Sequence, residues 1–151
     1  MSANDMIFAL ALASNLNKQQ HFNLAYQHIQ SWGELELSSI YQIPCRDGVG
    51  HEYWNAACLL MTQFTLPEMQ LRLKQLERLS GRVRPSHQIS LDVDLIAWGN
   101  DLSTMQWNEK KQPFALDVKI PLYELWPHHE LKVTGCIFPK VDFKLGAVLS
   151  G

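Results

Sequence analysis

The sequence predicts an α+β fold, a ferredoxin-like βαββαβ sandwich on an antiparallel sheet. Three observations predict it. Strand-length apolar runs and helix-period stretches follow in the order strand, helix, strand, strand, helix, strand. Turn residues flank these elements, the third strand excepted. The chain of 151 residues is 46% apolar and carries no internal repeat, linker or low-complexity tract. One domain over residues 1–151 is therefore expected, long enough to bury a sizeable core.

Met6 to Leu12 is apolar and β-compatible, hence a buried strand. Ala13-Ser14-Asn15 is a turn-like cluster placed to cap the next helix. Phe22, Ala25, Tyr26 and Ile29 recur at i, i+3, i+4 and i+7, an amphipathic helix ending near Gly33. Leu35, Leu37, Ser39 and Tyr41 alternate with Glu36, Ser38 and Ile40, a strand with one face more buried. Pro44 to Gly50 reads as loop, and Tyr53 to Thr62, "YWNAACLLMT", as strand. Thr65 is placed to cap a second helix that opens at Leu66-Pro67-Glu68. Met69, Leu73 and Leu76 line one face of it, and Gly81 fits the C′ position. Ile89 to Trp98 is a strand turned by Gly99-Asn100. Beyond it, Pro113, Pro121, Pro127 and Pro139 punctuate short elements.

The formal net charge of −2 is spread along the chain, without the clustered basic face of a nucleic-acid binder. The longest basic pair, Lys110-Lys111, reads as a solvated turn. Cys45, Cys58 and Cys136 are odd in number and lack CxxC spacing, which argues against a disulfide framework. No basic n-region precedes an apolar core, and Ile7 to Ala13 is too short to span a bilayer. A cytoplasmic protein without membrane or nucleic-acid partners is expected. Six histidines are present, among them His21 and His28 on one helix and the pair His128-His129. None has a partner at zinc spacing, so capping or solvated roles are expected. There is no Ser-His-Asp arrangement, Walker A loop or GxGxxG.

Chemistry gathers on "LDVDL", Leu91 to Leu95. Alternate strand residues share a face, so Leu91, Val93 and Leu95 point one way. Asp92 and Asp94 point the other, roughly 7 Å apart by strand rise. Two carboxylates so close repel unless a cation or base lies between them. Mg²⁺ uses one or two carboxylates plus substrate phosphates, and phosphate calls for Arg or Lys nearby. Arg82 and Arg84 alternate just upstream. The bland alternative is a pair of solvated acids on an open face, with the arginines as ion-pair partners. Tyr53, Asn55 and Ala57 share a face of the preceding strand. An Asn inside an apolar strand needs partners when buried. The edge of a planar heterocycle would satisfy it, and so would a neighbouring backbone group.

Six pieces carry a resemblance: "ASNL" at 13–16, "SSIYQIP" at 38–44, "YWNAA" at 53–57, "LERLSGRVR" at 76–84, "LDVDLIAWG" at 91–99 and "IPLYELWP" at 120–127. In order and spacing the chain resembles the 6-hydroxymethyl-7,8-dihydropterin pyrophosphokinase family of the folate pathway, from about Ile7 to Pro127. The resemblance implies the same ferredoxin-like fold. It implies transfer of pyrophosphate from ATP, as co-substrate, to the hydroxymethyl oxygen of the pterin, with Mg²⁺ bridging the phosphates. Carried over by position, Asp92 and Asp94 would hold Mg²⁺ and, with Arg82 and Arg84, form the catalytic set. Pro44, Tyr53 and Asn55 would bind the pterin. Glu77, Arg82 and Arg84 would bind ATP.

The chain also departs from the family pattern. Ala13 replaces a Gly. His87-Gln88-Ile89-Ser90 stands for Gly-Pro-Arg-x, with Ile89 at the Arg position, in a shortened Pro85–Ser90 loop. "NEKKQPFALDVKIPL" lacks the Pro-His pair and the following Arg; Phe114 is the candidate for the stacking Phe. Each lost phosphate donor is worth about 2–4 kcal/mol in a transition state, with Lys110, Lys111 or Lys119 as candidate replacements. The alternatives to an active enzyme are a weakened or inactive homologue that binds a pterin or nucleotide, and a relict interaction domain.

Overall fold

The computed structural model describes residues 5–44, 52–83, 88–135 and 137–146. The expected order is present: β1 (Met6–Ser14), α1 (Lys18–Gln30), β2 (Glu34–Leu37), β3 (Ile40–Ile43), β4 (Tyr53–Thr62), α2 (Leu66–Leu79) and β5 (Asp92–Gly99). Then follow β6 (Gln106–Trp107), α3 (Leu116–Leu125) and β7 (Lys140–Val141). The strands form one antiparallel sheet in the order β6-β5-β1-β4-β3-β7, with β2 also paired to β4. This is an α+β fold. No described helix is long and apolar enough to cross a membrane.

β1 lies between β4 and β5 and presents different side chains on its two faces. Phe8, Leu10 and Leu12 enter a core with Phe22, Ala25 and Ile29 of α1 and Met69, Leu73 and Leu76 of α2. Ile7, Ala9 and Ala11 enter a second core with Val118 and Leu122 of α3, Phe114, Trp126 and Leu131. Each large side chain so buried contributes about 1.5–3 kcal/mol. Cys58 lies wholly in the first core, where burial pushes its thiol up to about 12 and leaves it unreactive. Cys45 and Cys136 lie outside the described residues.

The signals around α2 are realised. Thr65 and Glu68 form a capping box, each side chain taking the other's backbone N–H at 3.3 Å. Gly81, at φ +80°, closes the far end. Its N–H donates to Arg78 O and the Arg82 N–H to Glu77 O, a Schellman motif. At α1 the helix ends at Gln30, near Gly33 as expected, but the cap expectation fails: the residue before the helix is Asn17, at φ 47°, without a side-chain cap. Ser14 and Asn15 are used elsewhere, as described below.

The second predicted strand, from Leu35 to Tyr41, is two strands. Leu37 stands opposite Cys58 but Tyr41 opposite Asn55, so four steps on one strand meet three on the other. The extra residue falls at Ser38-Ser39. The Ser38 N–H donates to Ala57 O, and the Ala57 N–H to Ser38 Oγ at 2.8 Å. A one-residue insertion flips the faces that follow it. Leu35, Leu37 and Ile40 therefore pack toward α1 and α2, whereas Tyr41 reaches α3. Its hydroxyl donates to Glu124 Oε1 at 2.6 Å, and the Ser39 N–H to Glu124 Oε2 at 2.8 Å. Two further expectations shift. β5 starts at Asp92, three residues later than predicted. α3 is one of the short elements expected beyond β5, but Pro121 lies inside it, buried, and does not mark its boundary. A Pro costs a helix hydrogen bond, and the buried ring, beside Val118 and Leu122, offsets that loss.

Gly33 sits where a Cβ would lie 2.0 Å from the Met61 backbone oxygen. Gly33→Ala forces β4 or the α1–β2 turn to shift and should cost about 1–3 kcal/mol or more, read as a lower denaturation midpoint. Glu124 supports a second prediction. Burial raises its pKa, but the hydrogen bonds from Tyr41 and Ser39 and the Lys140 charge outweigh that and hold it below the ordinary carboxylate value. A folded-state pKa below the unfolded one adds stability above the unfolded pKa, which is lost as pH falls through the folded value. Glu124→Gln should thus cost about 1 kcal/mol near neutral pH, allowing for the carboxylate's partial exposure. The difference from wild type should shrink below the usual carboxylate range; a gap that persists there would rule out this account.

Candidate functional site

The site follows from register. Ala13 of β1 stands opposite Asn55 of β4 on one side and Asp92 of β5 on the other. Ala11 stands opposite Ala57 and Asp94 in the same way. Asn55, Ala13 and Asp92 thus form one row across three strands, on the face that α3 covers further along. Small side chains on β1 keep the floor low. The first turn of α3, with Ala115, Asp117 and Val118, makes the far wall. The result is a cleft of about 410 Å³, lined also by Pro44, Tyr53, Ile89 and Lys111.

The structure brings together five of the sequence-derived site residues here: Pro44, Tyr53, Asn55, Asp92 and Asp94. Asn55 is 1% exposed, and its Nδ2 has no hydrogen-bond partner among the described residues. A buried donor left unpaired costs about 1–3 kcal/mol. The alternative in which a backbone group satisfies this amide nitrogen is not what the described residues show. The row also disposes of one departure: Ala13 is strand backbone without positive φ, so the lost Gly puts no strain on the chain.

Glu77 and Arg82 stand apart from these five. With Lys74 and Arg78 they line a separate recess of about 440 Å³ at the end of α2. The Arg82 Nη1 donates to Val83 O at 2.7 Å, and its buried Nε has no partner among the described residues. Arg84 lies outside the described residues. Among the described residues, the ion pair seen on the strand acids is one with Lys111. Lys111 Nζ lies 2.9 Å from Asp94 Oδ1, with side chains 43% and 26% exposed. The solvated-turn reading therefore holds for Lys110, which is exposed, and fails for Lys111. Burial pulls the Lys111 ammonium down, but the Asp94 hydrogen bond and charge, with Asp92 and Glu77, hold its pKa above the ordinary lysine value. Lys119 does not line the cleft. Nor does Phe114, which is buried against Trp107 at 5.4 Å.

Sequence reasoning missed what aims the acidic strand. Ser14 and Asn15 are buried, and they hold the segment before β5. The Asn15 N–H donates to Ile89 O at 2.9 Å, and the Ile89 N–H to Asn15 Oδ1 at 2.5 Å. Ser80 and Ser90 share a 2.8 Å hydroxyl contact that ties in the end of α2. The signal lies in "ASNL", whose Ser and Asn equally fit a helix cap. His128 caps as expected, its Nδ1 accepting from the Glu130 N–H at 3.0 Å, whereas His21 is buried, its Nδ1 2.6 Å from Leu16 O, and is not solvated; His51 and His87 lie outside the described residues.

Three carboxylates, Asp92, Asp94 and Asp117, face one ammonium among the described lining residues. A phosphate chain enters such a cleft only with cations in company. No group of three or more His, Cys, Asp or Glu among the described residues could hold a metal ion. Two strand carboxylates with further oxygens from a substrate phosphate do suit Mg²⁺, so the donor set fits that ion. A search of curated proteins finds no match. Residues 9–134 match the family model described as 7,8-dihydro-6-hydroxymethylpterin-pyrophosphokinase (HPPK). With most of its length matched, and the strand order and acidic cleft in place, the chain belongs to the HPPK family.

Proposed function

We propose that the protein transfers pyrophosphate from ATP to 6-hydroxymethyl-7,8-dihydropterin, with the pterin seated against Tyr53, Asn55 and Pro44. One observation carries this reading: the buried Asn55 Nδ2, without a partner among the described residues, belongs to the same cleft as the Asp92–Asp94 pair. A flat heterocycle with hydrogen-bonding edges would satisfy the amide, and Tyr53 would pack on it. The acids on the same floor then lie where the hydroxymethyl group would meet the phosphates.

Asp92 and Asp94 would hold Mg²⁺, which neutralises phosphate charge when bound. The protein's own share is positioning and charge. Asp92 is the candidate to accept the hydroxyl proton. Glu77, Arg82 and Arg84 would take the nucleotide side; Glu77 is near enough for its charge to act on Lys111. The setting is cytoplasmic in this reading. Ile89 favours a second one, a homologue that binds ligand without transferring, because the resemblance expects an Arg at that position.

An assay of AMP formation with ATP, Mg²⁺ and the pterin separates the two. AMP release supports the enzyme. Pterin binding without AMP leaves only the binding protein, and binding of neither ligand sinks both. Asn55→Ala should weaken pterin affinity about 10-fold or more, leaving nucleotide affinity unchanged. Asp92→Asn with Asp94→Asn should abolish Mg²⁺-dependent nucleotide binding in calorimetry; unaltered affinity would remove both residues from the metal site.

A further inference from the structure

Lys111 occupies an unusual place for a surface lysine. Its ammonium is 2.9 Å from a carboxylate oxygen of Asp94, on the floor of the cleft. Its backbone is held to the same strand that carries Asp94. The Asn108 N–H donates to Ile96 O at 2.8 Å, and the Asn108 Nδ2 to Leu95 O at 2.8 Å. The short 3-10 turn Glu109–Lys111 then closes with the Lys111 N–H on Asn108 O at 3.0 Å. The anchor is fixed, while the four-carbon stem is half exposed and able to turn.

We infer that Lys111 is a tethered cation that competes with a divalent metal for Asp94 and moves onto the phosphate chain when metal and nucleotide enter together. The inference rests on the reading of Asp92 and Asp94 as the metal platform. Its physical basis is exclusion. An oxygen held in a close ion pair must give up that partner to coordinate a metal, and an ammonium beside a divalent cation is repelled. Once released, Lys111 remains within reach of the site, where the incoming phosphates are the opposite charge. The same side chain thereby weakens metal binding in the empty cleft and strengthens binding of the metal–nucleotide pair. This is a positive coupling between the two ligands.

The test is Mn²⁺ alone, titrated by electron paramagnetic resonance into the full chain, followed by Mn²⁺ with a non-hydrolysable ATP analogue. Lys111→Met should bind Mn²⁺ alone about three- to tenfold more tightly than wild type and the metal–analogue pair about three- to tenfold more weakly. Lys111→Arg, which keeps the charge, should stay close to wild type. Lys111→Met with unchanged or weaker Mn²⁺ affinity overturns the inference. If Asp92→Asn with Asp94→Asn abolishes Mn²⁺ binding in that case, the metal platform itself survives. Mn²⁺ binding that is indifferent to that double substitution overturns the platform, and the inference with it.

Discussion

The asymmetry of β1 governs the rest of the molecule. It is the strand that pairs with both β4 and β5, and its faces differ in volume. Phe8, Leu10 and Leu12 fill the space beneath α1 and α2. The opposite face offers Ala9, Ala11 and Ala13. Small side chains let α3 approach the sheet along part of that face. Where α3 begins, they leave a hollow in place of a core. A larger residue at 13 would fill the cleft floor between Asn55 and Asp92.

Backbone hydrogen bonding turns this hollow into a site. Residues on three strands meet in one row because β1 keeps register with both neighbours at its Ser14 end. A bulge in β5 opposite Ala9/Leu10 lies beyond that row, so it leaves the two acids in phase. The Asn15–Ile89 exchange pins the entry to β5. The aromatic stack of Trp107 on Trp126, at 4.8 Å and 19°, secures the segments on either side of α3. Charge is the other part of the design. Among the described lining residues, three carboxylates face one ammonium, an arrangement suited to anions that arrive with their own cations.

Most of the fold and about half of the site were legible. Period-2 and period-3.6 patterns are local, so the strands, α2 with its caps, and the shared face of Asp92 and Asp94 could be read directly. The failures have identifiable causes. Alternation assumes an unbroken strand, and the extra residue at Ser38-Ser39 put Tyr41 on the other face. Pro121 signalled a break where burial of its ring made a helix tolerable. Ser14 and Asn15 have the chemistry of caps, and a distant backbone segment claimed them. In each case a contact far along the chain overrode a local preference.

The sequence by itself determined the family, the element order, the acid pair and the Tyr-x-Asn, because these depend on residue type and short spacing. Only the tertiary structure decided which cations and acids meet. Arg82 is two residues from Arg84 and near Asp92 in sequence, yet it lines a different recess. Lys111 looked like half of a solvated pair, yet it sits on Asp94. The reason is geometric. Strand pairing and the turn anchored by Asn108 set those distances, and neither can be read from a run of neighbouring residues.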